Sequence, residues 1–328
     1  MKNSTQAFQY QSYGRSEVLT WDRVPLAEPN PDEVRVRHTA IGVNFLDVYQ
    51  RSGADRSQSL PARIGVEGVG VIEATGKSSA QFKAGDRVAY VGGAPGSYSL
   101  HRNIATSRLL KLPDWIDDKV AAALMFKGLT AEYLINRCVA VKEGQSVLFH
   151  AAAGGVGSIA CQWLSAKGVT VIGTVGSEAK IAQARLNGCA HVLLSDDPDF
   201  VSKVRDMSGG VDVVYDSIGQ VTFYNSLDCL RPRGTMVSFG ASSGPPPEIS
   251  VSELVTRGSL FLTRPSIANY TSDRREYEIA ADCLFRAISK GNVKPPQSTI
   301  LPIEEAANAH ALMESRSTTG SLILDPQQ

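Results

Sequence analysis

His150-Ala151-Ala152-Ala153-Gly154-Gly155-Val156-Gly157 is the stretch that decides the fold of this chain. It follows Val147-Leu148-Phe149, an apolar run that reads as a buried strand, and it opens a segment that reads as a helix to about Lys167. Aligned on G-x-G-x-x-G, Ala152 takes the first glycine position, Gly154 the second and Gly157 the third. Gly154 lets the backbone approach a pyrophosphate, and Gly157 lets helix and strand pack closely. The helix start adds unpaired N–H groups and the positive end of its dipole. A tight turn that binds nothing has the same local pattern, so the flanking sequence has to separate the two readings.

Downstream, the apolar runs predict strands over 169–172, 191–194, 211–215, 236–239 and 260–262. Helices are expected between them, at 181–186, along Val201, Val204 and Met207, and over 223–230. Strands apolar on both faces and separated by helices imply a doubly wound parallel sheet. Upstream the chain reads as β-rich. Val34, Val36 and His38 alternate with Arg35 and Arg37, Val69-Gly70-Val71-Ile72 and Arg87-Val88-Ala89-Tyr90-Val91 are short strands, and Gly and Pro break the stretch repeatedly. Ala121 opens a helical stretch through Cys138. Beyond 265, Tyr277, Ala280, Ala281, Leu284, Phe285 and Ile288 mark one apolar helix face that Gly291 ends. Leu322-Ile323-Leu324 is a last strand. The expected class is α/β, with a barrel-like domain over 1–122 and 266–328. A nucleotide-binding domain over 123–265 is inserted in it, with a cleft between the two.

The 328 residues suit two domains. Lys+Arg and Asp+Glu are both 33, so the formal net charge is zero, which does not favour nucleic acid as a partner. No apolar run reaches the roughly 18 residues of a membrane span. The polar start Met1-Lys2-Asn3-Ser4-Thr5-Gln6 lacks the apolar core of a signal peptide, so a cytoplasmic protein is expected. Cys138, Cys161, Cys189, Cys229 and Cys283 are widely spaced and read as small apolar residues, with no disulfide framework and no cysteine-rich metal lobe.

The second strand of the sheet ends in Gly176-Ser177, where an NAD site usually carries an acid for the ribose 2′-hydroxyl. Glu178 and Lys180 follow. A small residue, a hydroxyl and a lysine suit a 2′-phosphate and favour NADPH over the alternative that Lys180 is a solvated surface lysine. Asp216-Ser217-Ile218-Gly219 and Phe239-Gly240-Ala241-Ser242 end the fourth and fifth strands at the same edge, where their small residues leave room for a ligand. Either segment alone is also ordinary turn chemistry.

The markers Gly42-Val43-Asn44-Phe45-Leu46-Asp47, Gly85-Asp86-Arg87-Val88, Lys127-Gly128-Leu129-Thr130-Ala131, Val214-Tyr215-Asp216-Ser217-Ile218-Gly219, Ser238-Phe239-Gly240, Thr263-Arg264-Pro265 and Glu314-Ser315-Arg316 occur in order along nearly the whole chain. On these the chain resembles the NADPH:quinone oxidoreductases, the zeta-crystallin-like branch of the medium-chain dehydrogenase/reductases. The resemblance implies a GroES-like domain, a Rossmann domain and commonly a homodimer. The zinc branch of that superfamily binds catalytic zinc through a cysteine and a Gly-His-Glu triplet. Here those positions are Asn44 and Gly65-Val66-Glu67, so no metal site is expected. The resemblance assigns cofactor contacts to Asn44, Lys127, Gly154, Gly155, Val156, Gly157, Ser177, Lys180, Ser217, Phe239, Gly240, Ser242, Arg264 and Arg316. Taken singly, Asn44 could instead cap the helix after it, and Arg264 and Arg316 could form salt bridges. Two positions depart from bacterial relatives. Ser195 stands where a tyrosine helps hold the 2′-phosphate, and of a tyrosine pair after the Asn motif Tyr49 is kept while the second falls at about Asp55.

The activity so implied is hydride transfer from NADPH to a quinone or similar conjugated carbonyl, with Tyr49 as a candidate proton donor that could equally be a packed aromatic. A 2-alkenal or enoyl reductase is the alternative, and a non-catalytic NADPH sensor or RNA-binding protein is the alternative of another class.

Overall fold

The computed structural model describes residues 3–315 and 318–328. The chain divides into two compact units: Met1–Phe126, Thr271–Ala281 and Pro295–Gln328 form one, and Lys127–Tyr270 and Asp282–Lys294 the other. The divisions at 126 and 281 fall within the helices Asp118–Glu132 and Arg274–Ser289. The sequence suggests divisions at 122 and 265; the first falls instead at 126, inside a continuous helix that carries no compositional break, and Asp282–Lys294 returns to the second unit.

The second unit holds six strands: β1 (Ser146–Phe149), β2 (Thr170–Val175), β3 (His191–Leu194), β4 (Val211–Asp216), β5 (Leu230–Ser238) and β6 (Phe261–Thr263). All pair in parallel, in the order β3-β2-β1-β4-β5-β6. The order reverses between β1 and β4, so the crevice of a doubly wound sheet lies outside the carboxyl ends of those two strands. Leu148, Val214 and Met236 are fully buried and pack with Phe200, Val204, Phe223 and Leu227 from the covering helices. At about 25 cal/mol per Å² of apolar surface, such side chains dominate what holds helix to sheet.

Two readings of this region need correction. β5 begins at Leu230 rather than 236, and the helix before it stops at Asp228. Pro232 and Gly234 make this segment look like a turn, and Arg233 does adopt φ 63°, but the backbone still pairs with β4 across a register shift. Met207 is 43% exposed, and Phe200, four residues before Val204, takes the core position instead. The helical stretch after Glu132 ends in a π-helical turn, Tyr133–Cys138, where the Tyr133 ring stacks on Tyr270 at 4.5 Å.

The first unit is a barrel-like mixed β structure. One sheet runs Thr20–Pro25, Ser4–Tyr10, Ala62–Arg63, and the other runs Ser298–Pro302, Ser321–Asp325, Glu33–Val43, Glu67–Thr75, Arg87–Val91, Leu109–Lys111. His101–Ala105 also pairs with Glu33–Val43. The C-terminal strand returns to Glu33–Val43, with Leu322, Ile323 and Leu324 antiparallel to Val43, Gly42 and Ile41. Arg35, expected on a solvated face, is only 4% exposed because its guanidinium donates to Ala27 O at 2.7 Å and Asn103 Oδ1 at 3.3 Å. All five cysteines are free thiols, with Cys161, Cys189 and Cys229 buried and Cys138 and Cys283 half-buried. Among the described residues no helix is long and apolar enough to cross a membrane, and no group of three or more His, Cys, Asp or Glu is placed to hold a metal ion.

Candidate nucleotide-binding site

The turn after β1 is held by its own backbone. Ala151 takes the left-handed region at φ 54°, Ala152 N–H donates to Thr174 O on β2, and Gly154 N–H closes back on Ala151 O at 2.9 Å. Helix α1 (Gly155–Ala166) follows, and Ser158 N–H to Gly154 O at 2.8 Å is its first bond. The N–H groups of Gly155, Val156 and Gly157 precede that bond and have no intrahelical acceptor. A Cβ at Gly157 would sit 2.3 Å from Ala151 O and 2.9 Å from the Ala152 Cα, so only glycine allows the helix to start this close to the turn. At Gly154 the nearest atom to a Cβ is Ala151 O at 3.2 Å, and at Gly176, past β2, a Cβ would meet nothing within 4 Å. The turn is thus tight at Gly157 and Gly154, and the space past β2 is open at Gly176, which suits backbone approach to a pyrophosphate.

Ser177 is exposed beyond β2 in an extended conformation, and Lys180 N–H closes a turn on its carbonyl at 3.1 Å. Partial burial lowers the pKa of the Lys180 ammonium. Ser195, just past β3, donates its N–H to Val175 O at 2.9 Å and so lies beside the end of β2. No acid ends β2, and the residues present fit a 2′-phosphate better than a bare 2′-hydroxyl.

The ends of β4 and β5 interlock. Phe239 and Gly240 donate their N–H groups to Asp216 O, and Ser242 N–H donates to Ser217 O at 3.2 Å. A Cβ at Gly240 would fall 2.6 Å from Ser217 O, which explains the glycine. Arg264 Nη1 donates to Ser238 O at 3.0 Å and Gly240 O at 2.8 Å. It is therefore a brace on the end of β5, and not the salt bridge its charge alone suggested.

Beneath this edge lies a polar network that the sequence reading missed. The Asp216 carboxylate is fully buried and accepts four hydrogen bonds. Oδ1 takes Ile218 N–H and Gly219 N–H, and Oδ2 takes the Thr222 and Ser226 hydroxyls, all at 2.7–3.0 Å. Ser226 Oγ also lies 3.0 Å from His150 Nε2, whose Nδ1 lies 2.9 Å from Thr174 Oγ1. Burial holds the His150 pKa down, against the pull of Asp216. Since Ser226 spends its proton on Asp216, Nε2 must donate to Ser226 and Nδ1 must accept from Thr174. The chain Thr174–His150–Ser226–Asp216 joins β2, β1 and β4 under the switch point. A histidine closing an apolar strand, 66 residues before an Asp closing another, was the available signal.

Lys127 lies on the helix Asp118–Glu132 and is 5% exposed. The next residue packs tightly, since a Cβ at Gly128 would sit 2.6 Å from a Leu284 methyl. In the first unit, Asn44 is buried and starts the helix Phe45–Ser52, its N–H donating to Asp47 Oδ2 at 2.9 Å. The Asn44 amide also donates to Glu67 Oε2 at 2.9 Å, and Val66, just before Glu67, is 2% exposed. Tyr49 is half-buried on the same helix, its ring 5.7 Å from that of Phe45. Arg316 lies outside the described residues. The second unit thus gathers the glycine turn, Ser177, Lys180, Ser217, Phe239, Gly240, Ser242 and Arg264 along one sheet edge, while Asn44 and Tyr49 belong to the first unit.

Comparison with known proteins agrees with this architecture. An alcohol dehydrogenase GroES-like domain profile matches residues 30–137, and a zinc-binding dehydrogenase profile matches residues 155–284. The quinone oxidoreductase of Pseudomonas aeruginosa is 43% identical over 320 residues, covering 97% of this chain and 98% of the relative. A 2-haloacrylate reductase from a Burkholderia species is 43% identical over 322 residues, covering 96% and 97%. The crystal structure of the Escherichia coli quinone oxidoreductase complexed with NADPH superposes with a TM-score of 0.95 at 40% identity, covering 98% of this chain and 100% of that one. The chain belongs to the quinone oxidoreductase family of the medium-chain dehydrogenase/reductases.

Proposed function

We propose that the chain is an NADPH-dependent quinone reductase that reduces a quinone or a similar conjugated carbonyl without a metal ion. The observation that carries this reading is the open edge of the parallel sheet, with a glycine turn for the pyrophosphate and Ser177 and Lys180 in place of an acid. Bound there, the dinucleotide supplies a hydride from its nicotinamide ring. The N–H groups of Gly155, Val156 and Gly157 orient the pyrophosphate, and Lys180 and Ser177 hold the 2′-phosphate. Ser217, Phe239, Gly240 and Ser242 shape the nicotinamide end, braced by Arg264. Asn44, Lys127 and Arg316 complete the cofactor contacts. A quinone becomes more basic as it gains electrons, so water is a sufficient proton source.

Initial rates with NADPH and NADH, each against 1,4-benzoquinone and a 2-alkenal, test the reading. Fast NADPH-dependent quinone reduction, unchanged by a chelator, is expected. No quinone-dependent NADPH oxidation would refute it.

The 43% identity to a 2-haloacrylate reductase favours one second reading, reduction of an activated C=C bond. That chemistry needs a proton donor for the α-carbon, and Tyr49 takes that role. Tyr49→Phe then depresses alkene reduction and spares quinones. The working form is a cytoplasmic homodimer. Support for the dimer comes from the edge strand β6, where Phe261 is 62% exposed, and from Val251 and Val255 nearby in sequence, 78% and 67% exposed. Sedimentation at twice the 35.1 kDa chain mass checks it.

A further inference from the structure

Glu67 is a carboxylate with 0% exposure, and the proposed reaction gives it no task. Its Oε2 accepts the Asn44 amide Nδ2–H at 2.9 Å, and its Oε1 accepts Phe126 N–H at 2.7 Å. The chain makes room for it at Gly42, where a Cβ would sit 2.0 Å from Oε2, 2.4 Å from Cδ and 2.7 Å from Ala122 O. A buried carboxylate is costly, and it persists where its acceptor oxygens are filled by fixed donors. Here the donors belong to two places that matter for the cofactor. One is the side chain of Asn44, and the other is the backbone immediately before Lys127.

An asparagine amide has a donor end and an acceptor end of nearly the same shape. A carboxylate only accepts, so it dictates which end faces it. Asn44 is fixed at its backbone too, because its N–H and the Tyr98 hydroxyl both donate to Asp47 Oδ2, at 2.9 and 3.0 Å. Glu67 holds the donor end while the Asp47 N–H faces the side-chain oxygen in a capping box, so the side chain is left one orientation.

We propose that Glu67 is a positioning residue for the cofactor, fixing the amide orientation of Asn44 and the entry of the chain into Lys127. The proposal rests on the NADPH-binding reading given above. The position of the zinc-binding cysteine and the last residue of the Gly-His-Glu triplet of the metal-dependent branch are here joined directly by a hydrogen bond between an amide and a carboxylate.

The test exchanges the two groups. Glu67→Gln sets an NH2 against the Asn44 NH2, and weakens NADPH binding and kcat/KM for benzoquinone by about 10- to 100-fold. Asn44→Asp opposes two carboxylates, and its loss is greater at pH 9 than at pH 6, where one proton can be shared. The double variant N44D/E67Q restores a donor facing an acceptor, and the amide oxygen introduced at position 67 still accepts Phe126 N–H. It recovers at least tenfold of the loss and removes the added pH dependence. NADPH affinity is read by cofactor fluorescence, and folding by thermal melting. A merely structural role would lower the melting temperature and leave the NADPH affinity of the folded variants unchanged. E67Q within twofold of the wild type in NADPH affinity, or a double variant no better than the poorer single one, overturns the proposal. If E67Q does not fold, the pH dependence of N44D and the affinity of the double variant decide in the same sense. A wild type that binds NADPH but reduces no quinone would sink the functional reading, and the affinity series would still judge Glu67.

Discussion

Replacing Asp216 separates charge from hydrogen bonding at the switch point of the sheet. In Asp216→Ala, the N–H groups of Ile218 and Gly219 lose an acceptor at 2.8 and 3.0 Å. The hydroxyls fare better, because Thr222 Oγ1 already lies 3.4 Å from Gly219 O and Ser226 can turn its proton toward His150 Nε2. The Gly219 N–H is buried and the Ile218 N–H partly so; at about 1–3 kcal/mol for a buried donor without an acceptor, the alanine variant loses about 2–4 kcal/mol of stability. Asp216→Asn is milder. Its oxygen still takes both N–H groups, and its NH2 meets two hydroxyls that can reverse. Reversal propagates: Ser226 donates to His150 Nε2, and His150 Nδ1–H donates to Thr174. What is lost is charge assistance, about 1–2 kcal/mol. Urea unfolding gives the two stabilities, and 15N-labelled histidine NMR on a chain with only five histidines reads the tautomer. The wild type should carry its His150 proton on Nε2 and the Asn variant on Nδ1. An alanine variant within about 1 kcal/mol of the wild type, or a wild-type His150 protonated on Nδ1, refutes the reasoning.

Other outcomes follow from the same geometry. Gly157→Ala places a Cβ 2.3 Å from Ala151 O, and backbone cannot step aside cheaply. It should cost about 2–3 kcal/mol and abolish NADPH binding in a fluorescence titration. Lys180→Ala should raise the Kd for NADPH about tenfold and leave NADH nearly unchanged, since only NADPH carries the 2′-phosphate. Equal losses for both cofactors would remove Lys180 from the phosphate site. Burial holds the pKa of His38 and of His310 at about 3, so both stay neutral in the folded chain while the unfolded chain protonates them below about 6.5. Their contribution to stability is therefore present above pH 6.5 and lost as the pH falls toward 3. Between pH 7 and 5 each removes about 2 kcal/mol. Urea midpoints that do not move over that range would contradict it.

The Rossmann half was legible because its signals are local. The continuous apolar run 147–149 had to be a buried strand, and the spacing of Gly154 and Gly157 had to be a turn into a helix. The misreadings share one cause. β5 starts at Leu230 through Pro232 and Gly234, Met207 yields its core position to Phe200, and Arg35 is buried by a carbonyl and an amide from other segments. In each, a tertiary partner overrides local propensity. The polar networks were illegible for a stronger reason. Asp216 sits beside Ser217 in a motif that invites a ligand role, yet its carboxylate serves the loop itself. Glu67 falls in a triplet that binds metal in the zinc branch, yet its partners are an amide 23 residues earlier and a backbone N–H 59 residues later. Sequence spacing cannot say whether a buried acid meets a ligand or a neighbouring donor. The distinction lies in whether every acceptor site is already filled from within the chain, as it is at Asp216. An acid filled in this way fixes shape, and the chemistry is left to the groups it holds in place.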